Sequence, residues 1–378
     1  MTTANHPQNV PHLVCRVATP SGDLPVTEEG LRLPLDGCNQ GTTYGDYFAV
    51  LHYLLLRDDR ALLRNLEKTV SRSDPPIGII LRAEKHGALY HPASLELVWE
   101  GGDPPRRVYG DMDGDKDGPV KFALLTAISG HGRAALRNES QALDRLRHLP
   151  GSALLPCPLA LVEDARATLL VVPWFSGFHE FHVAEVGGFS LWDHDQGVRR
   201  LGSKQIREVF FQAGRILTLC LDPETGACVH PWSHAAGDLI VRWDAQGVAV
   251  RLTTVRNHSQ LIETDNPLSA MLAFVLDLAL RMRLDRVEGV GEWIWLDQEL
   301  MQAGVRGFYS GLGGHGTEAG GLRSLAELLP SFSAEDLWEG HESLLPLFSR
   351  AELETILPRL EAHCHELAAA LRLASSST

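Results

Sequence analysis

The predicted fold depends most on residues 229–243, Val-His-Pro-Trp-Ser-His-Ala-Ala-Gly-Asp-Leu-Ile-Val-Arg-Trp. A polar loop with two histidines runs here directly into the apolar residues 239–241. A turn of the form Asp-x-x-Gly follows at 244–247, and a second, valine-bearing run occupies 248–252. Two apolar runs joined by such a turn predict a β-hairpin. The sequence therefore predicts a polar, histidine-bearing loop at the start of a hairpin.

The composition narrows the class of protein. The chain has 378 residues and a net charge of −14, so a nucleic-acid backbone is not expected as a partner. No apolar run reaches the ~18 residues that a membrane helix needs, and the first residues lack the basic and apolar regions of a secretory signal. The six cysteines are scattered without a Cys-x-x-Cys pair, which favours reduced thiols. We therefore expect a cytoplasmic protein of two or three packed units with no membrane partner.

Helical and strand-like periodicities divide the chain into three predicted parts. Residues 1–75 form an N-terminal extension, an extended lead-in followed by one long or two short helices. Residues 76–173 form a small lobe with an antiparallel sheet and one helix, and residues 174–373 form a larger, mainly helical lobe with an insertion at 178–202. The strands of the small lobe are predicted at 77–81, 95–99, 120–125, 159–162 and 169–172, and its helix at 132–148. The main helices of the larger lobe are predicted at 203–221 and 268–284, and one or two amphipathic helices are predicted within 344–373.

This order of elements resembles the protein-kinase-like fold. Strand residue Lys121 precedes helix residue Glu139 by 18 residues, close to the spacing of the lysine–glutamate ion pair of protein kinases. The resemblance implies an α+β, protein-kinase-like two-lobed fold with a helical N-terminal extension and a hinge at Pro173. It implies ATP with magnesium as the cofactor, held by Lys121, Glu139, Pro173 and the small-lobe loop at Gly87. That loop has one glycine where kinases have three.

The catalytic positions of this fold carry unusual residues. Aligned on the hairpin, Asp238 falls where a kinase has the metal-binding Asn, and Ser233 falls where it has the catalytic Asp. Thr253 or Thr254 stands at the second metal position, where a hydroxyl is a poorer magnesium ligand than a carboxylate. The candidate catalytic residues are therefore Asp238, Ser233 and His234. The candidate metal ligands are Asp238 and Thr254.

Two functions follow from the resemblance. The first is a pseudokinase, a cytoplasmic regulatory or ligand-binding module without efficient phosphoryl transfer, whose protein or small-molecule partner the sequence does not name. The alternative is an atypical ATP-dependent phosphotransferase or nucleotidyltransferase that uses Lys121, Glu139 and Asp238 with one metal ion. In a second register, which resembles the His-Gly-Asp-Leu loop of small-molecule kinases, Asp238 becomes the base and Trp243 takes the asparagine position.

Two further motifs have the spacing of metal sites. His230, His234 and Asp238 form His-x-x-x-His-x-x-x-Asp, which on a helix projects three ligands from one face. No glutamate follows His230 as it does in a metalloprotease, so hydrogen-bonded loop histidines are favoured, zinc is not expected, and a metal-dependent hydrolase is the third hypothesis. Residues 113–118 match the first half of a calcium loop, but the twelfth position is Leu124 instead of glutamate. A solvated acidic turn is favoured there.

Overall fold

The computed structural model describes residues 11–19, 22–35, 41–70, 74–84, 87, 89–99, 120–184, 188–193 and 197–376. The chain is a mixed α+β protein that divides into two compact units. The first unit comprises Met1–Ser140 and Cys157–Gly177, and the second comprises Gln141–Pro156 and Phe178–Thr378. Within the described ranges, no helix combines the length and apolar character needed to cross a membrane.

The first unit is built on one seven-stranded sheet. Its strands are β1 (His12–Thr19), β2 (Gly22–Pro25), β3 (Gly78–Ala83), β4 (His91–Val98), β5 (Lys121–Ala127), β6 (Ala160–Glu163) and β7 (Thr168–Pro173). Its helices are α1 (Tyr44–Glu67) and the first part of α2 (Gly130–Leu146), whose residues 141–146 are assigned to the second unit. The order across the sheet is β2-β1-β3-β4-β5-β7-β6, and every pairing is antiparallel except that of β1 with β3. A strand is thus found at each of the five positions where the small-lobe sequence predicts one.

The N-terminal residues take part in this sheet. β1 pairs in parallel with β3, with Leu13 opposite Ile79. α1 contributes buried leucines, Leu51 and Leu55 among them, to the same apolar core as Leu95 of β4. The predicted extension and the predicted small lobe therefore share one core.

α1 resolves the choice between one long helix and two short ones. It begins at a capping box in which the Asp46 N–H donates to Thr43 Oγ1 at 3.1 Å and the Thr43 N–H donates to Asp46 Oδ2 at 2.9 Å. Its backbone leaves helical geometry over Arg57–Arg60, three of whose residues have positive φ. The element is therefore two short helical segments that follow one another across a break.

The second unit contains the predicted hairpin within a larger sheet. Its strands are β8 (His179–Val183), β9 (Phe189–Asp193), β10 (Gly197–Leu201), β11 (Cys228–Val229), β12 (Leu239–Asp244), β13 (Gly247–Leu252), β14 (His258–Ser259), β15 (Leu284–Arg286) and β16 (Trp293–Trp295). Asp244 lies opposite Gly247 at the turn, so the hairpin prediction is confirmed. The segment predicted as an insertion forms β8, β9 and β10, which extend the hairpin into a five-stranded sheet in the order β10-β9-β8-β12-β13.

Helices make up the rest of the second unit. They are α3 (Ser203–Leu219), α4 (Pro267–Arg281), α5 (Gln298–Leu312), α6 (Gly320–Ala326), α7 (Ala334–Glu342), α8 (Arg350–Ile356) and α9 (Leu360–Ser375). The backbones of α3 and α5 are in direct contact at glycines. A Cβ atom on Gly307 would lie 2.0 Å from the carbonyl oxygen of Phe211, and a Cβ atom on Gly214 would lie 2.2 Å from the carbonyl oxygen of Gly304. The glycine-rich run at 311–316 begins inside α5, which ends at Leu312.

Candidate functional site

The polar loop of the second unit is fixed at both ends by strands. Before it, β11 pairs with β14, and the N–H of His230 donates to the carbonyl oxygen of Asn257 at 3.2 Å. After it, β12 begins with Leu239 opposite Leu252 of β13. One wide turn, His234–Asp238, leads into β12, and its Gly237 has a φ of 79° that glycine adopts without strain.

Asp238 lies at the centre of this loop. Its side chain is 1% exposed, and the guanidinium of Arg256 binds both carboxylate oxygens, through Nη2 to Oδ1 at 2.7 Å and through Nη1 to Oδ2. The backbone N–H of Ser233 donates to Oδ2 at 2.8 Å. Bidentate arginine–carboxylate pairs are among the strong hydrogen-bonded ion pairs of proteins. The negative charge of Asp238 is therefore compensated by a cation of the chain itself.

The residues after the hairpin join its end to the loop. The hydroxyl of Thr253 donates to the carbonyl oxygens of Gly237 at 2.6 Å and Asp238 at 3.1 Å, and the Thr253 N–H donates to the same oxygen of Asp238 at 2.7 Å. Thr254, the predicted metal ligand, is half-buried. That Thr254 and Asp238 bind one metal ion together stays a prediction. In the structure the Asp238 carboxylate binds the guanidinium of Arg256.

His234 is fully buried and supports the loop. Its Nε2 donates to the carbonyl oxygen of Arg281 at 2.7 Å, and its ring centroid lies 4.4 Å from that of Phe210 and 4.9 Å from that of Trp232. Burial lowers the pKa of His234 to about 4, so the imidazole is neutral at pH 7. A neutral ring with no exposed surface is suited to holding the loop in place.

Arg281, the last residue of α4, binds the same loop through its side chain as well as through its carbonyl oxygen. The Arg281 side chain donates from Nη1 to the carbonyl oxygen of Trp232 at 3.3 Å, while its Nε donates to both carboxylate oxygens of Asp277 at 2.9 and 3.0 Å. Arg281 is 7% exposed and Asp277 is 2% exposed. A buried ion pair of α4 therefore orients the loop between Trp232 and His234.

The predicted His-x-x-x-His-x-x-x-Asp motif does not bring its three side chains together. His230 Nε2 hydrogen-bonds the hydroxyl of Ser259 at 2.8 Å, whereas His234 binds the backbone of α4 and Asp238 binds Arg256. Burial lowers the pKa of His230 below its ordinary value. Among the residues that the structure describes, no three His, Cys, Asp or Glu side chains are grouped as a metal ion requires.

Lys121 and Glu139 both lie in the first unit, on β5 and α2. Lys121 stands opposite Glu96 of β4, and its Nζ lies 3.5 Å from Glu96 Oε2. Glu139 is 1% exposed, and its Oε2 accepts a hydrogen bond from the hydroxyl of Tyr90 at 2.8 Å. Lys121 thus lies beside Glu96, and Glu139 binds Tyr90. The ion pair between Lys121 and Glu139 stays a prediction.

The other two predicted cofactor residues stand at turns of the first unit. A Cβ on Gly87 would lie 2.5 Å from the carbonyl oxygen of Tyr90, so this position has no room for a side chain. Pro173 ends β7, and the N–H of Trp174 then donates to the carbonyl oxygen of Lys121 at 3.3 Å. The chain therefore leaves this sheet beside the strand that carries Lys121.

A recess that is partly open to solvent lies beside Ser233, with a cavity volume of about 20 Å³. Its lining consists of Trp232, Ser233, Arg281, Leu284, Trp293 and Glu352. Pockets for drug-sized ligands ordinarily span roughly 300–1,000 Å³. The recess is therefore too small for a nucleotide.

Comparisons with known proteins give no relative for this chain. No protein-family model matches it, and no curated protein matches it significantly. The site is therefore interpreted from its own geometry. The calcium-loop sequence at 113–118, and residues 85, 86 and 88 of the small-lobe loop, lie outside the described residues.

Sequence reasoning missed Arg256 and Arg281. Arg256 had a signal, because it follows directly on the segment that aligns with the metal-binding motif, where a cation is out of place. Arg281 had none, because α4 is an apolar helix whose sequence does not indicate which side chain reaches the loop. Both arginines act on residues that lie far away along the chain.

Proposed function

We propose that this chain is a protein-kinase-like pseudokinase, a cytoplasmic regulatory or ligand-binding module without efficient phosphoryl transfer. In this proposal the first unit corresponds to the small lobe and the second to the large lobe. The succession of elements supports the correspondence, since three antiparallel strands, a helix and two more strands precede a long helix and the loop–hairpin pair. The chain passes from one unit to the other between Gly177 and Phe178, shortly after Pro173.

The observation that carries the proposal is the ion pair of Asp238 with Arg256. In a phosphotransferase of this fold the residue at this place, an asparagine in protein kinases, binds a magnesium ion that neutralises phosphate charge. Here both oxygens of Asp238 already bind a guanidinium. A magnesium ion must therefore displace this guanidinium from both oxygens before it can bind the carboxylate.

The base position supports the same conclusion. Ser233 stands where a kinase has its catalytic aspartate, and a neutral hydroxyl is a poor proton acceptor beside a carboxylate. Taken in the other register, Asp238 is the base, but Arg256 and the Ser233 N–H occupy its oxygens. Neither register leaves an unbound carboxylate to accept a proton from a substrate.

A reducing compartment agrees with the state of the thiols. The five cysteines within the described ranges, Cys15, Cys157, Cys220, Cys228 and Cys364, are all free. Proteins of oxidising compartments commonly pair their cysteines in disulfides. The free thiols therefore support the cytoplasmic part of the proposal.

Thermal denaturation with ATP, alone and with magnesium or manganese, tests the proposal. A ligand that binds the folded chain raises its stability by RT ln(1 + [L]/Kd), so even weak binding is visible at millimolar nucleotide. We expect the metal to add nothing to any effect of ATP. A metal-dependent increase that both Lys121→Ala and Asp238→Asn abolish, together with phosphate transfer from ATP, supports the atypical phosphotransferase and overturns the pseudokinase.

A further inference from the structure

The two edge strands of the five-stranded sheet in the second unit differ in how the backbone groups on their outer sides are hydrogen-bonded. At one edge, β13 is closed by Gln212 of α3, whose Nε2 donates to the carbonyl oxygen of Val248 at 2.7 Å and whose Oε1 accepts from the N–H of Val250 at 3.0 Å. At the other edge, β10 pairs with β9, and no strand in the described part of the chain pairs with its outer side. Open strand edges offer unpaired backbone groups to another chain.

An apolar pair is exposed beside this open edge. Val198 of β10 is 71% exposed, and its direct cross-strand partner on β9, Trp192, is 37% exposed. Isolated exposed apolar residues are common on protein surfaces. These two, however, adjoin each other next to unpaired backbone, where an added strand would cover them.

The edge is basic in a chain of net charge −14. Arg200 is exposed and shares the face of Val198, because residues two apart on a strand point the same way. Lys204, at the start of α3, is also exposed. Arg199 points to the other face, where its guanidinium lies over the ring of Trp243 at 4.4 Å and 3.7 Å from Asp193. Two cations thus remain along the edge to attract an acidic partner.

We propose that β10 is a docking edge that takes an extended acidic peptide segment of a partner protein as an added strand. The backbone of the segment pairs with the outer side of β10, its carboxylates lie near Arg200 and Lys204, and an apolar side chain covers Trp192 and Val198. This mode of recognition combines main-chain hydrogen bonds with side-chain selectivity. A second copy of the chain fits poorly, because two basic strands on two strongly acidic molecules would face each other.

The docking edge gives the partner class for the binding role proposed above. Its test uses no nucleotide, so the two proposals fail separately. The probe is a labelled peptide, Thr-Glu-Thr-Val-Thr-Glu-Thr-Val, whose glutamates and valines lie on one face of an extended strand as Arg200 and Val198 do, and its comparison peptide carries lysine at every glutamate position. Fluorescence anisotropy with the full chain measures both. We expect the acidic probe to bind at least about tenfold more tightly than the lysine peptide.

Three changes locate the binding. Arg200→Glu and Val198→Asp are each expected to weaken binding at least about tenfold. The matched controls Arg350→Glu and Val290→Asp change equally exposed residues elsewhere in the second unit, and we expect them to leave the affinity unchanged. N-methylation of alternate residues of the probe is expected to abolish binding in one register only, since an added strand uses every second backbone N–H.

The proposal is overturned by any of four results. These are no binding of the acidic probe, equal binding of the lysine peptide, unchanged affinity of both β10 variants, and insensitivity to N-methylation in both registers. A concentration-dependent dimer that Arg200→Glu alters assigns the edge to a second copy and overturns it as well. Unchanged thermal midpoints of the variants show that they are folded.

Discussion

Two buried polar clusters of the second unit differ in how their polar groups are satisfied. We call the first the loop cluster, made of His234, Asp238 and Arg256. Its carboxylate has three donors, and its histidine donates from Nε2 to a backbone carbonyl, while His234 Nδ1 is the one ring nitrogen of this cluster without a partner among the described residues. The second is the histidine cluster of α7 and α9, made of His341, His363 and Cys364. Its polar atoms have far fewer partners.

All three residues of the histidine cluster are buried. His341 Nδ1 donates to the carbonyl oxygen of Leu337 at 2.7 Å, and Cys364 Sγ lies 3.7 Å from the same nitrogen. The ring of His363 lies 5.6 Å from that of His341 and 5.6 Å from that of Trp295. His363 is 1% exposed, and neither of its ring nitrogens has a hydrogen-bond partner among the described residues.

The polar residues of the loop cluster therefore stabilise a loop, whereas those of the histidine cluster lower the stability of the core around them. A buried polar group with its partners contributes modestly to stability, whereas one without partners costs about 1–3 kcal/mol. Removing a member of the loop cluster should therefore destabilise the fold. Removing the unpaired member of the histidine cluster should do the opposite.

The largest expected effect of a single substitution is that of Arg256→Ala. It leaves the carboxylate of Asp238, which is 1% exposed, without its cation, and an uncompensated buried charge costs about 3–5 kcal/mol. Because the Arg256 side chain is 33% exposed, we expect about 3 kcal/mol, the lower end of that range. Urea denaturation measures the change in the free energy of unfolding.

Arg350→Ala is the matched control for this change. Its ion pair with Glu354 lies on the surface, with side chains 94% and 68% exposed, and such pairs contribute about 0.5 kcal/mol or less. Adding Asp238→Asn to Arg256→Ala should recover part of the loss, because the amide carries no charge. Equal effects of the two arginine substitutions would show that the loop cluster is not held by its ion pair.

Acid should destabilise both clusters through their histidines. Burial lowers the pKa of His234 and of His341 to about 4 and that of His363 well below its ordinary value, with His341 and Arg283 acting in the same direction on His363. The unfolded chain takes up these protons near pH 6.5 and the folded chain does not. Stability is therefore complete above about pH 6.5 and falls towards pH 4, by up to about 3 kcal/mol for each of His234 and His341.

The free energy of unfolding, measured in urea at steps from pH 7 to pH 5, tests this dependence. The upper half of the interval is the more diagnostic, because few carboxylates titrate there. His363→Leu should make the decline shallower, since one proton-binding site of the unfolded chain is removed. A free energy of unfolding that does not change between pH 7 and pH 5 contradicts the burial of neutral histidines.

The smallest expected effect is the change in the free energy of unfolding when leucine replaces His363 or His234. His363→Leu removes two unpaired nitrogens and should raise the free energy of unfolding at pH 7 by about 1 kcal/mol. His234→Leu leaves the carbonyl oxygen of Arg281 without its donor and should lower the free energy by about 1–2 kcal/mol. Denaturation of the two variants in parallel gives the two signs. A loss at both positions would remove the distinction between the clusters.

Local patterns predicted much of the secondary structure. The alternation of apolar residues around an Asp-x-x-Gly turn predicted the hairpin of β12 and β13, and helical periodicity predicted α3 and α4 within a few residues. The partners of the strands could not be predicted in this way. β8, β9 and β10 were interpreted as an insertion, because nothing within residues 178–202 indicates that Glu180 lies opposite Ile240.

The candidate site was predicted in part. The sequence drew attention to Asp238, Ser233 and His234, and all three lie in one loop whose backbone and side chains bind each other and α4. It did not predict that Arg256 binds Asp238, because an ion pair depends on the fold of the intervening hairpin. The kinase resemblance, the ion pair of Lys121 with Glu139 and the metal role of Thr254 stay predictions.

The sequence by itself determined the five strands predicted for the small lobe, the hairpin of β12 and β13, the helices α3 and α4 within a few residues, and which polar residues stand in the central loop. These properties depend on backbone preferences and on neighbours a few residues away. The tertiary structure alone decided that Asp238 is compensated by Arg256 and that His363 has no hydrogen-bond partner among the described residues. It also decided that no described strand pairs with the outer side of β10, while Gln212 closes β13. These contacts form between residues that are far apart in the sequence and come together only in the folded chain. Local sequence patterns contain little information about such contacts.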